Sequence, residues 1–147
     1  MINQTFETKS INSFSDVHKF WKENGIRVSD IGSLHEKGYK DYFSTNQDYF
    51  IGMYNREKII GSCVLFNDGR KTGIYRLCVH NDYRKQGIAK ALIKSCEAQA
   101  DKDKIKTLYA LIECSNIHSM TLFDKAGFNS YPKIKYFVKK KKSDNTW

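Results

Sequence analysis

A short basic segment with a single glycine carries the clearest chemistry in the sequence. It reads His80-Asn81-Asp82-Tyr83-Arg84-Lys85-Gln86-Gly87-Ile88-Ala89 and separates an apolar run from a helical pattern. The first N–H groups of a helix lack partners and carry partial positive charge, so they bind phosphate readily. Gly87 and the small Ala89 let a diphosphate approach the backbone, and the side chains of Arg84 and Lys85 add charge. The segment predicts a phosphate cradle for a nucleotide-like ligand, although an ordinary basic turn would share these residues.

Other kinds of site are disfavoured by residue spacing. The phosphate loop G-x-x-x-x-G-K-[ST] and the dinucleotide fingerprint G-x-G-x-x-G are both absent. No two cysteines form a C-x-x-C pair, so neither a zinc knuckle nor a redox dithiol is expected, and we expect no metal ion. We expect the four cysteines to be reduced and to pack in the interior as small hydrophobic residues; they are Cys63, Cys78, Cys96 and Cys114.

Apolar periodicity and the turn residues between apolar runs divide the chain into alternating strands and helices. Their order predicts an α/β layered domain with a mixed sheet. The predicted elements are a strand near 5–11, helices over 15–25 and 33–43, strands over 49–54, 59–66 and 72–80, a helix over 88–100, a strand over 107–112, a helix over 116–126 and a bent strand pair over 128–140.

Caps and turns mark several of these boundaries. Ser15 is predicted to cap the first helix and Gly25 to end it, while Gly127 is predicted to end the last helix. Residues 55–58 predict a hairpin turn, and Asn67-Asp68-Gly69 is the strongest turn signal in the chain. The cradle therefore lies between a strand and a helix.

Length and composition fit a single domain over residues 1–147 with a basic, frayed tail from 139. No apolar run approaches the ~20 residues that span a bilayer, and the N-terminus lacks a signal-peptide pattern. We therefore expect a cytoplasmic protein with no membrane partner. The net charge of +9, to which the run Lys139–Lys142 contributes, suits an anionic partner such as a polyphosphate cofactor or nucleic acid.

Two segments resemble the motifs of one enzyme superfamily. The stretch Leu77–Ala89 resembles the acetyl-CoA signature of the GNAT superfamily of N-acetyltransferases, which is a strand, then [Q/R]-x-x-G-x-[G/A], then a helix. The stretch Asn116–Phe128 is similar to that superfamily's asparagine-headed helix, which ends in a lysine, a small residue and Gly-Phe. The resemblance implies the acyl-CoA N-acyltransferase (GNAT) fold, an α/β fold whose mixed, mostly antiparallel sheet is flanked by about four helices.

The resemblance implies acetyl-CoA as co-substrate, and the aligned positions imply which residues would contact each part of it. The backbone of Leu77, Cys78 and Val79 would pair with the pantetheine arm like an added strand. A bulge there would aim the Val79 N–H at the acetyl oxygen as an oxyanion donor. Asn116 would hydrogen-bond the pantetheine besides capping its helix, and Lys125 would reach a phosphate. The pyrophosphate would lie on the backbone amides of Arg84, Lys85, Gln86, Gly87, Ile88, Ala89 and Lys90.

Phe123 departs from the superfamily pattern. It matches a cofactor-contacting position where many members carry a tyrosine that protonates the leaving CoA thiolate, and phenylalanine has no proton to donate. Thiols have a pKa near ~8.5, so the thiolate is able to leave unaided. Otherwise Cys114, Ser119, Tyr109 or a water molecule would substitute for the tyrosine.

Neither motif assigns the general base. The attacking amine must lose a proton before or during the reaction. Glu113, acting through water, is the preferred candidate for this role, and His80 and His118 are its alternatives. An amine that arrives neutral would need no base.

Three functions compete on the sequence alone. The first is an N-acetyltransferase acting on a primary amine of a small molecule, protein or peptide. The second is an acyl-CoA-binding regulatory module with little turnover, for which Phe123 is the clue. The third is a nucleic-acid-binding domain using aromatics between lysines over 131–139, which is disfavoured because it explains neither motif. We expect the first two helices and the loop at 46–48 to shape the acceptor pocket, and the terminal strands would suit a homodimer.

Overall fold

One mixed sheet forms the centre of the computed structural model, which describes residues 5–26 and 33–139. Within those residues five strands lie in chain order; the first three pairs are antiparallel and the last pair is parallel. The predicted α/β class with a mostly antiparallel sheet is confirmed. The strands are β1 (Glu7–Ser10), β2 (Phe50–Asn55), β3 (Lys58–Asn67), β4 (Thr72–Val79) and β5 (Leu108–Tyr109).

Helices cover both faces of the sheet, and each face has its own apolar core. Trp21 from the first helix packs with Val64 on one face, whereas Leu92 and Phe123 from the last two helices pack with Cys63 on the other. No helix within 5–26 or 33–139 combines the length and apolar character needed to cross a membrane. The helices described are α1 (Phe14–Glu23), α2 (Ser33–Thr45), α3 (Ile88–Lys102) and α4 (Ile117–Lys125).

Both predicted hairpin turns are confirmed. Arg56 and Glu57 connect β2 to β3, with Arg56 at a φ of 56°. Between β3 and β4, the side-chain oxygen of Asn67 accepts a hydrogen bond from the Gly69 N–H at 2.8 Å. Gly69 has a φ of 87°, a left-handed conformation that glycine adopts at little cost. The turns set the register of the three strands that lead to the cradle.

The cap predicted for the first helix is wrong by two residues. Ser13, not Ser15, is the N-cap of α1, and its hydroxyl accepts a hydrogen bond from the Asp16 N–H at 3.3 Å. Ser13 has the extended backbone that an N-cap needs, and its choice places the acidic Asp16 in the positive first turn. The predicted stop at Gly25 agrees with its φ of 74° just beyond the helix.

The predicted strands after residue 107 are mostly wrong. Only Leu108 and Tyr109 of the strand expected over 107–112 pair with β4. In the described part of 128–140, residues 128–139 form no strand, and a turn occupies Pro132 and Lys133. The alternation of lysine and apolar residues resembles a strand, but residues 129–139 are exposed throughout. With no neighbouring strand to pair with, alternation alone does not produce a ladder.

The buried hydroxyl of Ser62 joins α1 to the sheet, and removing it is expected to destabilise the fold. It accepts a hydrogen bond from the Trp21 indole N–H at 2.9 Å, and both residues are 0% exposed. We predict that Ser62→Ala lowers the free energy of unfolding by about 1–3 kcal/mol, because the indole N–H is left buried without a partner. Thermal unfolding checks this, with Ser95→Ala in α3 as control, since Ser95 only adds a second donor to a helix carbonyl. Equal melting temperatures for the two variants would contradict the prediction.

Candidate active site

The N-terminus of α3 presents backbone donors that the helix itself does not use. Its first backbone hydrogen bond runs from the Ala91 N–H to the Gly87 carbonyl at 3.0 Å. The N–H groups of Ile88, Ala89 and Lys90 therefore have no carbonyl one turn earlier to bond. Gly87 is the N-cap with a φ of 80° and makes no side-chain capping bond. These free donors are the feature that a phosphate cradle requires.

The approach to these donors is open and basic. Residues 84–87 are exposed, and a Cβ placed on Gly87 would meet no atom within 4 Å. The Arg84 side chain turns back toward the sheet, where its Nε donates to the Val79 carbonyl at 3.3 Å. Lys85 adopts a left-handed φ of 62°, so the chain bends sharply just before the helix. The segment therefore has room for an anion and positive charge beside it.

Strand β4 has an open edge that leads to the cradle. Its pairing with β5 ends at Gly73 and Tyr109, so within the described residues no strand pairs with that edge of β4 from Ile74 onward. On the other edge, the His80 N–H donates to the Ile60 carbonyl of β3 at 2.9 Å. Backbone groups alternate between the two edges of a strand, which directs the N–H groups of Val79 and, two residues earlier, Leu77 to the open edge.

The predicted bulge in β4 is confirmed. Ser62 pairs with Cys78 and Val64 pairs with Tyr75, so Arg76 and Leu77 together lie opposite one residue of β3. Arg76 has a φ of 51°, a left-handed conformation that is unfavourable for a residue with a side chain. As a result, consecutive side chains of Tyr75 and Arg76 both contact the α1/α2 face of the sheet.

Helix α4 begins and ends as its motif predicts. The Asn116 side chain caps the helix by accepting a hydrogen bond from the Ser119 N–H at 3.1 Å. Gly127 follows the helix with a φ of 92°. Lys125 is exposed in the last turn. Phe123, by contrast, is only 6% exposed and packs edge-to-face on Phe128 with ring centroids 5.0 Å apart.

The residues proposed for proton transfer do not lie in one place. Glu113, Cys114 and His118 are exposed on or just before α4. His80 is half-buried, and its Nδ1 accepts a hydrogen bond from the Asp82 N–H at 3.1 Å. Within the described residues, none of these four side chains forms a hydrogen bond to another of them.

Tyr109 lies at the fork where β5 leaves β4. Its hydroxyl is 3.3 Å from that of Tyr75. A Cβ on Gly73 would come within 2.7 Å of the Tyr109 ring, so glycine makes room for the tyrosine there. Burial, followed by the hydrogen bond to Tyr109, raises the pKa of Tyr75. The Tyr75 hydroxyl therefore stays protonated at neutral pH.

A largely buried cluster of polar and charged side chains at the bulge was missed by sequence reasoning. The Arg76 side chain, 9% exposed, is 3.4 Å from a Glu36 carboxylate oxygen, and the other oxygen is 3.0 Å from the His18 Nε2. These residues are far apart in sequence, on β4, α2 and α1. The available signal was a single arginine inside an otherwise uncharged strand, since a buried charge requires a partner.

The four cysteines differ in exposure, which predicts their reactivity. Cys114 is exposed and the other three are buried. Burial raises the pKa of Cys78 to about 11; the hydrogen bond to Cys96 and burial raise that of Cys63. Because thiolates are the reactive form, we expect a thiol reagent at pH 8 to label Cys114 rapidly in the native protein and the others only after denaturation. Mass spectrometry checks this; rapid label on Cys78 would contradict it, and Cys114→Ser should remove the fast phase.

Solved structures show which fold these elements form. The structure of AAC(6')-Iy in complex with the bisubstrate analog CoA-S-monomethyl-acetylneamine superposes with a TM-score of 0.75 at 13% identity, over 92% of this chain and 99% of that one. The arrangement is therefore the GNAT fold. A model described as the acetyltransferase (GNAT) family matches residues 14–128, and the chain belongs to this family.

Relatives by sequence carry acetyltransferase names. The N-acetyltransferase YitH of Bacillus subtilis is 27% identical over 109 residues, covering 69% of this chain and 37% of that protein. The ribosomal protein bS18-alanine N-acetyltransferase of Escherichia coli is 29% identical over 56 residues, covering 38% of each. The matches thus span well under half the length of these relatives. Acetyltransferases of this family use acetyl-CoA.

Proposed function

We propose that this chain is an N-acetyltransferase that moves the acetyl group of acetyl-CoA to a primary amine. One observation carries the proposal: the open edge of β4 runs into the uncapped N-terminus of α3. An extended arm paired along that edge would deliver its phosphates to the free amides of the helix. A basic turn without a ligand would need neither an open strand edge nor room in front of Gly87.

The residues present fit acetyl-CoA. The backbone amides of 84–90, with the side chains of Arg84 and Lys85, would hold the pyrophosphate, and Lys125 would add charge. The backbone of Leu77, Cys78 and Val79 would pair with the pantetheine arm. Acetyl-CoA supplies an acyl group activated as a thioester. Every other contribution to the reaction comes from the protein's own groups.

The bulge supplies the oxyanion donor in this proposal. Val79 was predicted for this role, and its N–H is directed to the open edge, as is that of Leu77. The pantetheine arm would run from the cradle toward the fork, so Leu77 lies farther along that path than Val79. We therefore add the Leu77 N–H, which directly follows Arg76 in the bulge, as a second donor toward the acetyl oxygen.

Tyr109 is the proton donor that we propose in place of the tyrosine absent at position 123. Of the substitutes predicted, it alone lies at the fork of β4 and β5, and its hydroxyl contacts that of Tyr75. Cys114 is exposed and lies just before α4. The hydrogen-bonded hydroxyl pair of Tyr75 and Tyr109 would supply the proton at the fork. Glu113, acting through water, stays the predicted base.

The acceptor is a primary amine on a small molecule or on a protein. One similar protein was solved with a bisubstrate analog containing acetylneamine, and another is named as an alanine N-acetyltransferase of a ribosomal protein. Small-molecule amines and protein amines therefore both belong in an acceptor screen. A homodimer and a cytoplasmic location stay predictions. The exposed apolar side chains of Ile134, Phe137 and Val138 support the prediction of a contact with a second copy of the chain. Light scattering of the purified protein tests for this dimer.

Two measurements test the proposed function. Saturating CoA, at 100 times its Kd, should stabilise the protein by about 2.7 kcal/mol and raise its melting temperature by roughly 5–10 °C. Release of free CoA thiol from acetyl-CoA in the presence of an amine panel then tests transfer, in the Cys114→Ser background so that the protein's exposed thiol adds no signal. No thermal shift would overturn CoA binding. A shift without thiol release from any amine would favour the regulatory acyl-CoA-binding module.

A further inference from the structure

We infer that Arg76 is a positioning residue: helices α1 and α2 clamp its side chain and thereby hold the β4 bulge in the shape that aims the Leu77 N–H at the open edge. The inference rests on the proposed function, because it assigns a task to the same bulge. Neither sequence motif includes Arg76, Glu36 or His18.

The backbone of Arg76 needs an external restraint. Its φ of 51° lies in the left-handed region, which residues with a side chain rarely adopt without support from their surroundings. The bulge also leaves the β3–β4 ladder irregular between the pairs Ser62–Cys78 and Val64–Tyr75. A regular strand continued from the Ser62–Cys78 pair would place Arg76 opposite Val64 with its N–H toward β3, and the edge at Leu77 would lack the local bend that a bulge introduces.

The restraint comes from four contacts to the guanidinium and its partners. The guanidinium carbon lies 4.7 Å from the Trp21 ring centroid and 4.2 Å from that of Tyr39. One guanidinium nitrogen lies 3.4 Å from a Glu36 oxygen, whose side chain is 14% exposed. His18 then contacts the second oxygen of Glu36 at 3.0 Å. The planar arginine head thus lies against two aromatic rings and contacts one carboxylate oxygen, a combination that lysine would not reproduce.

The clamp is tied to the opposite strand as well. The Trp21 indole N–H donates to the hydroxyl of Ser62, the residue that pairs with Cys78 beside the bulge. Helix α1 therefore contacts both strands of the irregular ladder through one side chain. Helix α2 contributes Glu36 and Tyr39. A substitution in α1 or α2 that removes one of these contacts would therefore alter the bulge directly, because none of the contacts involves the cradle at the start of α3. The clamp should affect the geometry at the bulge and leave phosphate binding unchanged.

Two variants remove the clamp in different ways, and one variant is a matched control. Arg76→Gly tolerates the left-handed φ but loses every side-chain contact. Glu36→Gln keeps the shape and removes the charge that pairs with Arg76. Lys37→Met breaks the exposed 2.9 Å pair with Asp41 on the same helix and should behave as wild type. Glu36→Gln decides the question alone if Arg76→Gly does not fold.

Nuclear magnetic resonance supplies readouts that do not need turnover. In the free protein, hydrogen exchange of the Tyr75 and Cys78 amides should quicken in both variants. In wild type, replacing CoA by acetyl-CoA should shift the Leu77 amide resonance, and the variants should lose this acetyl-specific shift while the amides of 88–90 still respond to CoA. With an active amine, kcat should fall about 100-fold and the KM for acetyl-CoA should change little.

The outcomes separate the clamp from the proposed function. Wild-type exchange rates in both variants, or a retained acetyl-specific shift at Leu77, would overturn the clamp even if the enzyme is active. If wild type shows no response to CoA, the proposed function fails, and the exchange rates of Tyr75 and Cys78 alone decide whether the clamp holds the bulge.

Discussion

A Gly87→Val variant should bind CoA at least about 100-fold more weakly than wild type, a loss of about 2.8 kcal/mol. The space in front of Gly87 is empty of protein atoms within 4 Å, so the new side chain would meet the ligand and not the fold. It would cover the approach to the free amides of Ile88 to Lys90, on which the pyrophosphate is proposed to lie. Isothermal titration with CoA measures the effect directly.

Gly69→Val is the matched control for this substitution. Gly69 has a φ of 87°, close to the 80° of Gly87, and a Cβ placed there would likewise meet no atom within 4 Å. Both variants therefore carry a similar left-handed penalty of roughly 1–2 kcal/mol, but Gly69 lies in the β3–β4 turn. Wild-type CoA affinity in Gly69→Val shows that backbone strain alone does not cause the loss. CoA affinity within tenfold of wild type in a folded Gly87→Val protein would rule out the cradle.

Tyr109→Phe should lower kcat by about 100-fold, the lower end of what a general acid contributes. The hydroxyl that it removes lies at the fork and contacts the Tyr75 hydroxyl at 3.3 Å. The KM for acetyl-CoA should stay within about twofold, because the cradle and the edge of β4 are untouched. Steady-state kinetics with the best amine from the panel provide the measurement.

A second substitution turns this into a rescue experiment. Phe123→Tyr restores the phenol of the superfamily pattern, so it should raise turnover in the Tyr109→Phe background if both positions serve the same leaving group. Tyr131→Phe, at an exposed tyrosine of the C-terminal segment, should leave kcat unchanged. A Tyr109→Phe enzyme with wild-type kcat would mean that the thiolate leaves unaided or that water donates the proton.

Local signals predicted the parts of the fold that depend on neighbours in sequence. The hairpin turn at Asn67 to Gly69 was predictable because a short polar side chain bonds its own backbone there. The cap of α4 by Asn116 and the stop at Gly127 follow from similar local chemistry. The error at Ser15 shows the limit of such signals, since two serines compete and only one has the extended backbone.

Long-range contacts were predictable only in outline. Residues 128–139 alternate like a strand, yet a ladder also needs a partner edge, and periodicity carries no information about that partner. The cradle was found because its amides and charges are consecutive in sequence. The clamp around Arg76 was not found, because its partners on α1 and α2 become neighbours only when those helices pack on the sheet.

Backbone amide shifts during a CoA titration test the central claim most directly. If α3 and β4 form the cofactor site, the largest shifts should fall on the amides of Gly87 to Lys90 and on those of Leu77 and Val79. Residues of the β3–β4 turn, such as Gly69, should not move. Saturable binding with its largest shifts outside 77–90, or no shifts at millimolar CoA, would contradict the site described for this protein.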